Sequence, residues 1–291
     1  MSDTPQKVTI PFILNNYEVL LIDAFGVLMN TKGALEGAVD FINELNRTGK
    51  EYFILSNGSL YNALQNQGNY ARRGFDIPKE RIISSGTLIE KWVEQEKLKN
   101  KRFLVLAPEP TKSLVRDAGA IVCEELDESA DVLLIGDPKG YNYLEEIEFA
   151  ITLLYKSIDS GNPIRVLVPN PDVIYPKENK AYGITAGALA LLLEKAVALR
   201  YPKNIFQIEY LGKPYNPIFE EAFHRVKHKK MVMIGDQLET DIKGAVHFGI
   251  DSVLIGTGIT NLSNLSFHDG IRPTYLLDNL INNKTKGPYE S

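Results

Sequence analysis

Cys123 is the only cysteine in the chain, so no intramolecular disulfide framework can form, and such usage fits a reducing compartment. Clustered basic charge is also missing. Lysines and arginines are scattered, the net charge is -5 and the pI is near 5.5. That balance argues against nucleic acid or an anionic membrane surface as the main partner. No apolar run approaches the roughly 18 residues of a membrane-spanning helix. Met1 to Lys7 is polar, with no apolar run behind a basic segment, so no secretory signal is expected there. The four histidines show no ligand spacing. His224 and His228 lie beside Lys227, Lys229 and Lys230, which reads as a solvated face rather than a zinc site. Gly/Ser-rich linkers, low-complexity tracts and internal repeats are absent too. What is left is the expectation of a soluble, cytoplasmic globular protein.

The 291 residues favour two domains over one, and contents of 44 % apolar and 24 % charged residues are ordinary for such a protein. Short apolar runs alternate with longer amphipathic segments, the pattern of α/β proteins with parallel sheets. Core strands are expected at Val19–Asp23, Tyr52–Ser56, Met231–Gly235 and Ser252–Ile255. Their nearly continuous apolar character suits strands covered on both faces. Helices are expected over Ala38–Arg47, Glu220–Val226 and Thr240–Phe248. A second set of runs fills the middle: strands at Phe103–Ala107, Ile121–Cys123, Asp131–Ile135 and Arg165–Val168, with helices over Ser113–Ala118, Tyr143–Ile158 and Ala186–Leu199. This complete second α/β unit reads as an insertion. Trp92, after Leu88 and Ile89 at helical spacing, reads as packing.

Four short elements place polar residues directly after apolar runs, where ligands bind at the carboxyl ends of parallel strands. Asp23 ends the first run; a carboxylate there could attack phosphorus or bind a cation, or could simply cap a turn. Ser56-Asn57-Gly58-Ser59 offers a hydroxyl and backbone N–H groups as an anion cradle ahead of a helix start, or else a helix cap. Lys213, fixed between Gly212 and Pro214, could neutralise phosphate or stand solvated on the surface. Gly235-Asp236-Gln237-Leu238-Glu239-Thr240-Asp241 sets two aspartates five apart across a turn into a helix. Such oxygen ligands suit Mg²⁺, and a capping aspartate is the plainer alternative.

In this order the elements resemble motifs one to four of the haloacid dehalogenase superfamily. The likeness is nearest to subclass IIA, the N-acetylglucosamine-phosphatase-like and p-nitrophenyl-phosphatase-like branch. Further stretches resemble that subclass: Ile83-Ser84-Ser85-Gly86-Thr87 at the entry to its cap, then Leu134-Ile135-Gly136-Asp137, Pro169-Asn170-Pro171-Asp172 and Ala186-Gly187-Ala188 within it. The resemblance implies a Rossmann-like α/β core with a parallel sheet, residues 1–86 and 207–291, and an inserted type IIA α/β cap, residues 87–206. It implies Asp23 as nucleophile and metal ligand, Mg²⁺ as cofactor, and the backbone carbonyl of Phe25, Asp236 and Asp241 as further ligands. Ser56 and Lys213 would hold the transferring phosphoryl group. Asn57, Gly58, Asn170 and Asp172 would contribute to binding a small phosphorylated metabolite, such as a sugar phosphate. Caps of this subclass often form homodimers.

One position departs from the pattern. In the phosphatases a second aspartate, two residues after the nucleophile, protonates the leaving group; here Phe25 stands in its place. Such assistance is typically worth roughly 10²–10⁴ in rate. A phosphatase-like hydrolase with a relocated or missing acid/base is the first expectation. A catalytically weak phospho-ligand-binding protein is the second. Dehalogenase or phosphonatase chemistry comes third, because retention of Asp236, Asp241, Lys213 and a IIA-like cap argues against it.

Overall fold

The structure is a computed structural model that describes residues 5–177, 181–202, 207–227, 230–260, 262, 267 and 270–281. The chain separates into two compact units, one of residues 1–56, 66–82 and 219–291, the other of residues 57–65 and 83–218. It is a mixed α/β protein built on parallel sheets. His228, His268 and the polar tail from Asn282 lie outside the described residues.

The first unit carries strands paired in the order Gln6–Lys7, Tyr275–Leu277, Asp251–Ile255, Met231–Gly235, Val19–Asp23 and Glu51–Ser56. The pairings from Gln6–Lys7 through Glu51–Ser56 are parallel. Every residue of Val19–Asp23 and of Met231–Gly235 is buried, which is why these runs are apolar at successive positions rather than alternating. Both strands have the bounds expected from the sequence, and the other two expected strands begin one residue earlier, at Glu51 and Asp251. Helix Ala38–Thr48 buries Ala38, Phe41, Ile42 and Leu45, a stripe at helical spacing that faces a core shared with Leu20, Ile22, Ile54, Val232 and Ile234.

Two helices late in the chain differ from expectation. The one expected at Glu220 starts at Asn216, because Pro217 fits the first turn, where its missing N–H is not needed. The segment expected as one helix over Thr240–Phe248 is instead a π-helical turn, Leu238–Ile242, followed by an α-helix, Lys243–Phe248. The wide turn arises because Asp241 folds its carboxylate back onto the N–H groups of Asp236 and Gln237, both at 3.1 Å.

The second unit has its own parallel sheet, ordered Ile208–Tyr210, Arg165–Val168, Val132–Ile135, Arg102–Leu106 and Ile121–Val122. Helices Tyr143–Asp159 and Ala186–Arg200 bury Ile147, Leu154, Leu189 and Leu193 in a core with Leu104, Leu133 and Val166. The helix expected at Ser113 begins at Glu109, again with a proline, Pro110, in its first turn. Trp92 packs in this unit, with its indole N–H on Glu209 at 2.9 Å and the Arg165 guanidinium 5.0 Å from its ring. Among the described residues, no helix is long and apolar enough to cross a membrane.

Candidate active site

In the first unit, the middle strands deliver Asp23 and Asp236 to their carboxyl ends, and the π-helical turn returns Asp241 to the same point. Ligand-capable atoms of the three carboxylates lie within 4.8 Å of one another. All are buried, at 6 %, 0 % and 1 % exposure for Asp23, Asp236 and Asp241. Like charges at 4 Å repel by roughly 4 kcal/mol per pair even at an effective dielectric constant of 20. Three carboxylates gathered in a buried setting make a place that a cation would stabilise. The donor set is all oxygen, which fits a hard divalent ion such as Mg²⁺ and not a soft one.

Backbone groups aim these carboxylates. Ile259 donates its N–H to Oδ2 of Asp236 at 2.8 Å. Gly26 (φ +101°) and Gly258 press against the same side chain; a Cβ on either would lie 2.4 Å or 1.9 Å from Oδ2 of Asp236. Phe25, half-buried, begins a tight turn held by backbone bonds: Gly26 N–H to Met29 carbonyl at 2.8 Å and Met29 N–H to Ala24 carbonyl at 3.1 Å. Ser56, half-buried, ends the neighbouring strand one residue beyond Leu55, the partner of Asp23 in the sheet register.

In the second unit, three adjacent strands end in polar residues. Gly136-Asp137 follows Val132–Ile135, Asn170-Pro171-Asp172 comes just beyond Arg165–Val168, and Gly212-Lys213 lies beyond Ile208–Tyr210. Lys213 is buried at 2 % exposure, not solvated, and the bond to Pro214 is cis. Asn57 and Asn170 are buried too, Asp172 is half-buried and Gly58 is exposed. The Asn57 side chain meets both Lys213 and Asp172. The loop around Asn57 and Gly58 is tied by Ser85, whose hydroxyl donates to the Asn57 carbonyl at 2.6 Å, and by Gly86, whose N–H reaches the Gly58 carbonyl at 3.2 Å. The helix expected directly after this loop starts only at Ala63, and Asn62 caps it by accepting the Gln65 N–H at 2.9 Å.

The structure thus gathers Asp23, Asp236 and Asp241 in one unit, and Asn57, Asn170, Asp172 and Lys213 in the other. Sequence reasoning missed two contributors to the first group. Thr257 donates its hydroxyl to the Gly26 carbonyl at 2.7 Å, and Ile259 supplies the amide on Asp236. Their signal was Gly256-Thr257-Gly258, a glycine-rich turn directly after the Asp251–Ile255 strand. In the second group Asp137, quoted only within a cap-like stretch, was not among the expected site residues. Burial raises its carboxyl above the ordinary value, against the lowering pull of Lys139 and of a hydrogen bond with Asn170.

A parallel α/β sheet with three buried carboxylates gathered at its strand ends defines the class. Residues 20–121 match a family described as haloacid dehalogenase-like hydrolase, and residues 210–282 match a second, HAD-hydrolase-like family. The chain belongs to the haloacid dehalogenase superfamily of hydrolases, and its neighbours are of subclass IIA. It is 26 % identical over 262 residues to a dihydroxyacetone phosphatase of Corynebacterium glutamicum, covering 89 % of this chain and 88 % of that one. It is 23 % identical over 269 residues to an acid sugar phosphatase of Staphylococcus epidermidis, covering 92 % and 96 %. The crystal structure of a possible sugar phosphatase from Cytophaga hutchinsonii superposes with a TM-score of 0.80 at 25 % identity, covering 95 % of this chain and 98 % of that one.

Proposed function

We propose that the chain is a Mg²⁺-dependent phosphatase of small phosphorylated metabolites, a sugar phosphate or a similar ester, acting through an aspartyl-phosphate on Asp23. The observation that carries this reading is the buried cluster of Asp23, Asp236 and Asp241 within 4.8 Å at the strand ends. The dihydroxyacetone phosphatase and acid sugar phosphatases among its relatives support the substrate class. The organisation proposed with it is a core of residues 1–86 and 207–291 and an inserted cap of residues 87–206.

Asp23, Asp236, Asp241 and the carbonyl of Phe25 would hold Mg²⁺, which when bound stabilises charge on the transferring phosphoryl oxygens. An oxygen of Asp23 forms the new bond to phosphorus while the bond to the ester oxygen breaks. Water then attacks the aspartyl-phosphate, releasing phosphate and restoring the Asp23 carboxylate. The Lys213 ammonium offsets phosphoryl charge and the Ser56 hydroxyl donates to a phosphoryl oxygen. Substrate recognition falls to the loops that carry Asn57-Gly58 and Asn170-Pro171-Asp172. Phe25 cannot transfer a proton, so the departing oxygen takes its proton from water or leaves as a stabilised anion.

The test is hydrolysis of p-nitrophenyl phosphate and a phosphometabolite panel, with and without Mg²⁺, by wild type and Asp23→Asn. Mg²⁺-dependent turnover that Asp23→Asn abolishes is the expected result. Phospho-ligand binding without turnover would replace the enzyme by a binding protein, the reading that Phe25 favours. Metal-independent halide release from a 2-haloacid would replace it by a dehalogenase.

A further inference from the structure

The Asn57 side chain has two N–H donors and one carbonyl oxygen. One N–H goes to Oδ1 of Asp172 at 2.8 Å and the other to the Lys213 carbonyl at 2.9 Å. The oxygen accepts the Lys213 N–H at 2.7 Å. Both donors are committed within the protein, and the residue is 6 % exposed. Asn57 therefore grips the peptide groups on both sides of the Lys213 Cα, much as a neighbouring strand would.

The surroundings are shaped for this grip. A Cβ on Gly212 would lie 2.5 Å from Oδ1 of Asn57 and 2.8 Å from Cδ of Pro171, so a larger residue would push Asn57 off Lys213. Asp172 is pinned in turn. Its N–H goes to Oδ1 of Asn170 at 3.0 Å, and its carbonyl accepts the Gly187 N–H at 3.0 Å and the Thr185 hydroxyl. Asn170 also hydrogen-bonds Asp137 on the next strand end. A carboxylate accepting from an amide gives a stronger, more directional bond than a neutral acceptor would, so Asp172 sets which way Asn57 faces.

We infer that Asp172 and Asn57 are positioning residues that fix the backbone of Lys213, and with it the root of the ammonium arm, while Asn170 holds Asp172. This rests on the reading of Lys213 as the phosphoryl clamp. It assigns Asn57, Asn170 and Asp172 to the lysine rather than to direct contact with the substrate. A lysine side chain has many rotamers, so a loosened backbone at its root lets the charge wander from the position where it serves the transition state.

The experiment compares wild type, Asp172→Ala, Lys213→Ala and the double variant, with p-nitrophenyl phosphate and Mg²⁺. Asp172→Ala is expected to lower kcat by about 10²-fold, the scale of a small misplacement, with KM nearly unchanged. In the Lys213→Ala background it should cause no further loss. An equal loss in both backgrounds overturns the inference, and so does a rise in KM with kcat intact. Hydrogen exchange at the Lys213 amide gives a second readout that needs no turnover. Exchange should quicken in Asp172→Ala while amides of Arg165–Val168 keep their protection; unchanged exchange at Lys213 overturns the inference. If Asp172→Ala does not fold, Asp172→Asn, which keeps the volume but loses the charge, takes its place in both arms. Wild-type turnover by Lys213→Ala would instead sink the reading of Lys213 as the clamp, and the exchange arm would still decide whether Asp172 holds its backbone.

Discussion

The Ile259 N–H donates to Oδ2 of Asp236 at 2.8 Å, joining the turn after one strand to the carboxylate that ends its neighbour. Asp236 is therefore aimed by the fold itself.

This relationship has a thermal consequence. Without metal, Asp236→Asn should raise the melting temperature, because a neutral amide then replaces one of three clustered buried carboxylates. With Mg²⁺ the order should reverse, since ligand binding stabilises by RT ln(1 + [L]/Kd). Loss of a direct ligand should weaken Mg²⁺ at least as much as the roughly 10–100-fold typical of losing a supporting partner. Thermal scans with EDTA and with a Mg²⁺ series measure both effects. A variant whose melting temperature responds to Mg²⁺ as wild type does would show that Asp236 is no ligand.

Gly26→Ala should damage the same site by a different route. The residue sits at φ +101°, and a Cβ would lie 2.4 Å from Oδ2 of Asp236. Backbone strain of about 1–3 kcal/mol is then joined by displacement of the carboxylate. Gly49→Ala is the control, because φ is +67° there and nothing lies within 4 Å of the added carbon. Both variants should lose stability in urea titrations, while only Gly26→Ala should also lose its response to Mg²⁺. Equal Mg²⁺ responses would refute the contact.

The strands that carry the acidic cluster were legible because burial on both faces leaves a continuous apolar run with a polar residue at its end, as in Val19–Asp23 and Met231–Gly235. Tyr275–Leu277 and Gln6–Lys7 were not, being three and two residues long, too short for any period to register. The spacing of Asp236 and Asp241 spoke for a turn, but not for the π-helical form that Asp241 imposes by accepting two amides at the strand end. Lys213 could be read as solvated or functional; its 2 % exposure excludes the solvated reading. The grip of Asn57 on Lys213 spans 156 positions, and only the folded backbone brings such partners together.

Tyr52 offers a pH-dependent probe of the strand that ends in Ser56. Its hydroxyl donates to Oδ1 of Asn46 at 2.9 Å, and burial pushes the phenol up to about 12, with Arg81 opposing. A folded pKa above the unfolded value of 10.0 means that the stability tied to the neutral phenol is fully present below pH 10 and is lost as pH rises through 12. Tyr52→Phe should cost about 1 kcal/mol at neutral pH, the worth of one hydrogen bond. Its stability should then fall less steeply than that of wild type in the alkaline range. Urea unfolding across the pH series checks this; parallel curves would count against it.

Phe25 gives the sharpest test of the chemistry, because the turn it begins is held by backbone bonds. Gly26 reaches the Met29 carbonyl, and Leu28 and Met29 reach the Ala24 carbonyl at 3.0 and 3.1 Å. Exchanging the side chain therefore leaves the turn in place. Phe25→Asp supplies a carboxyl two residues beyond Asp23, able to protonate a departing alkoxide and then to activate water. Turnover of an alkyl phosphate should rise by roughly 10²–10⁴. p-Nitrophenyl phosphate, whose leaving group departs readily as an anion, should gain much less. Phe25→Asn, isosteric with the aspartate but unable to transfer a proton, should gain on neither ester. Comparing kcat for the two esters across the three proteins separates these outcomes. An equal gain on both esters would mean that the carboxyl helps by charge or packing, and no gain on the alkyl ester would mean that wild type already draws its proton from another group.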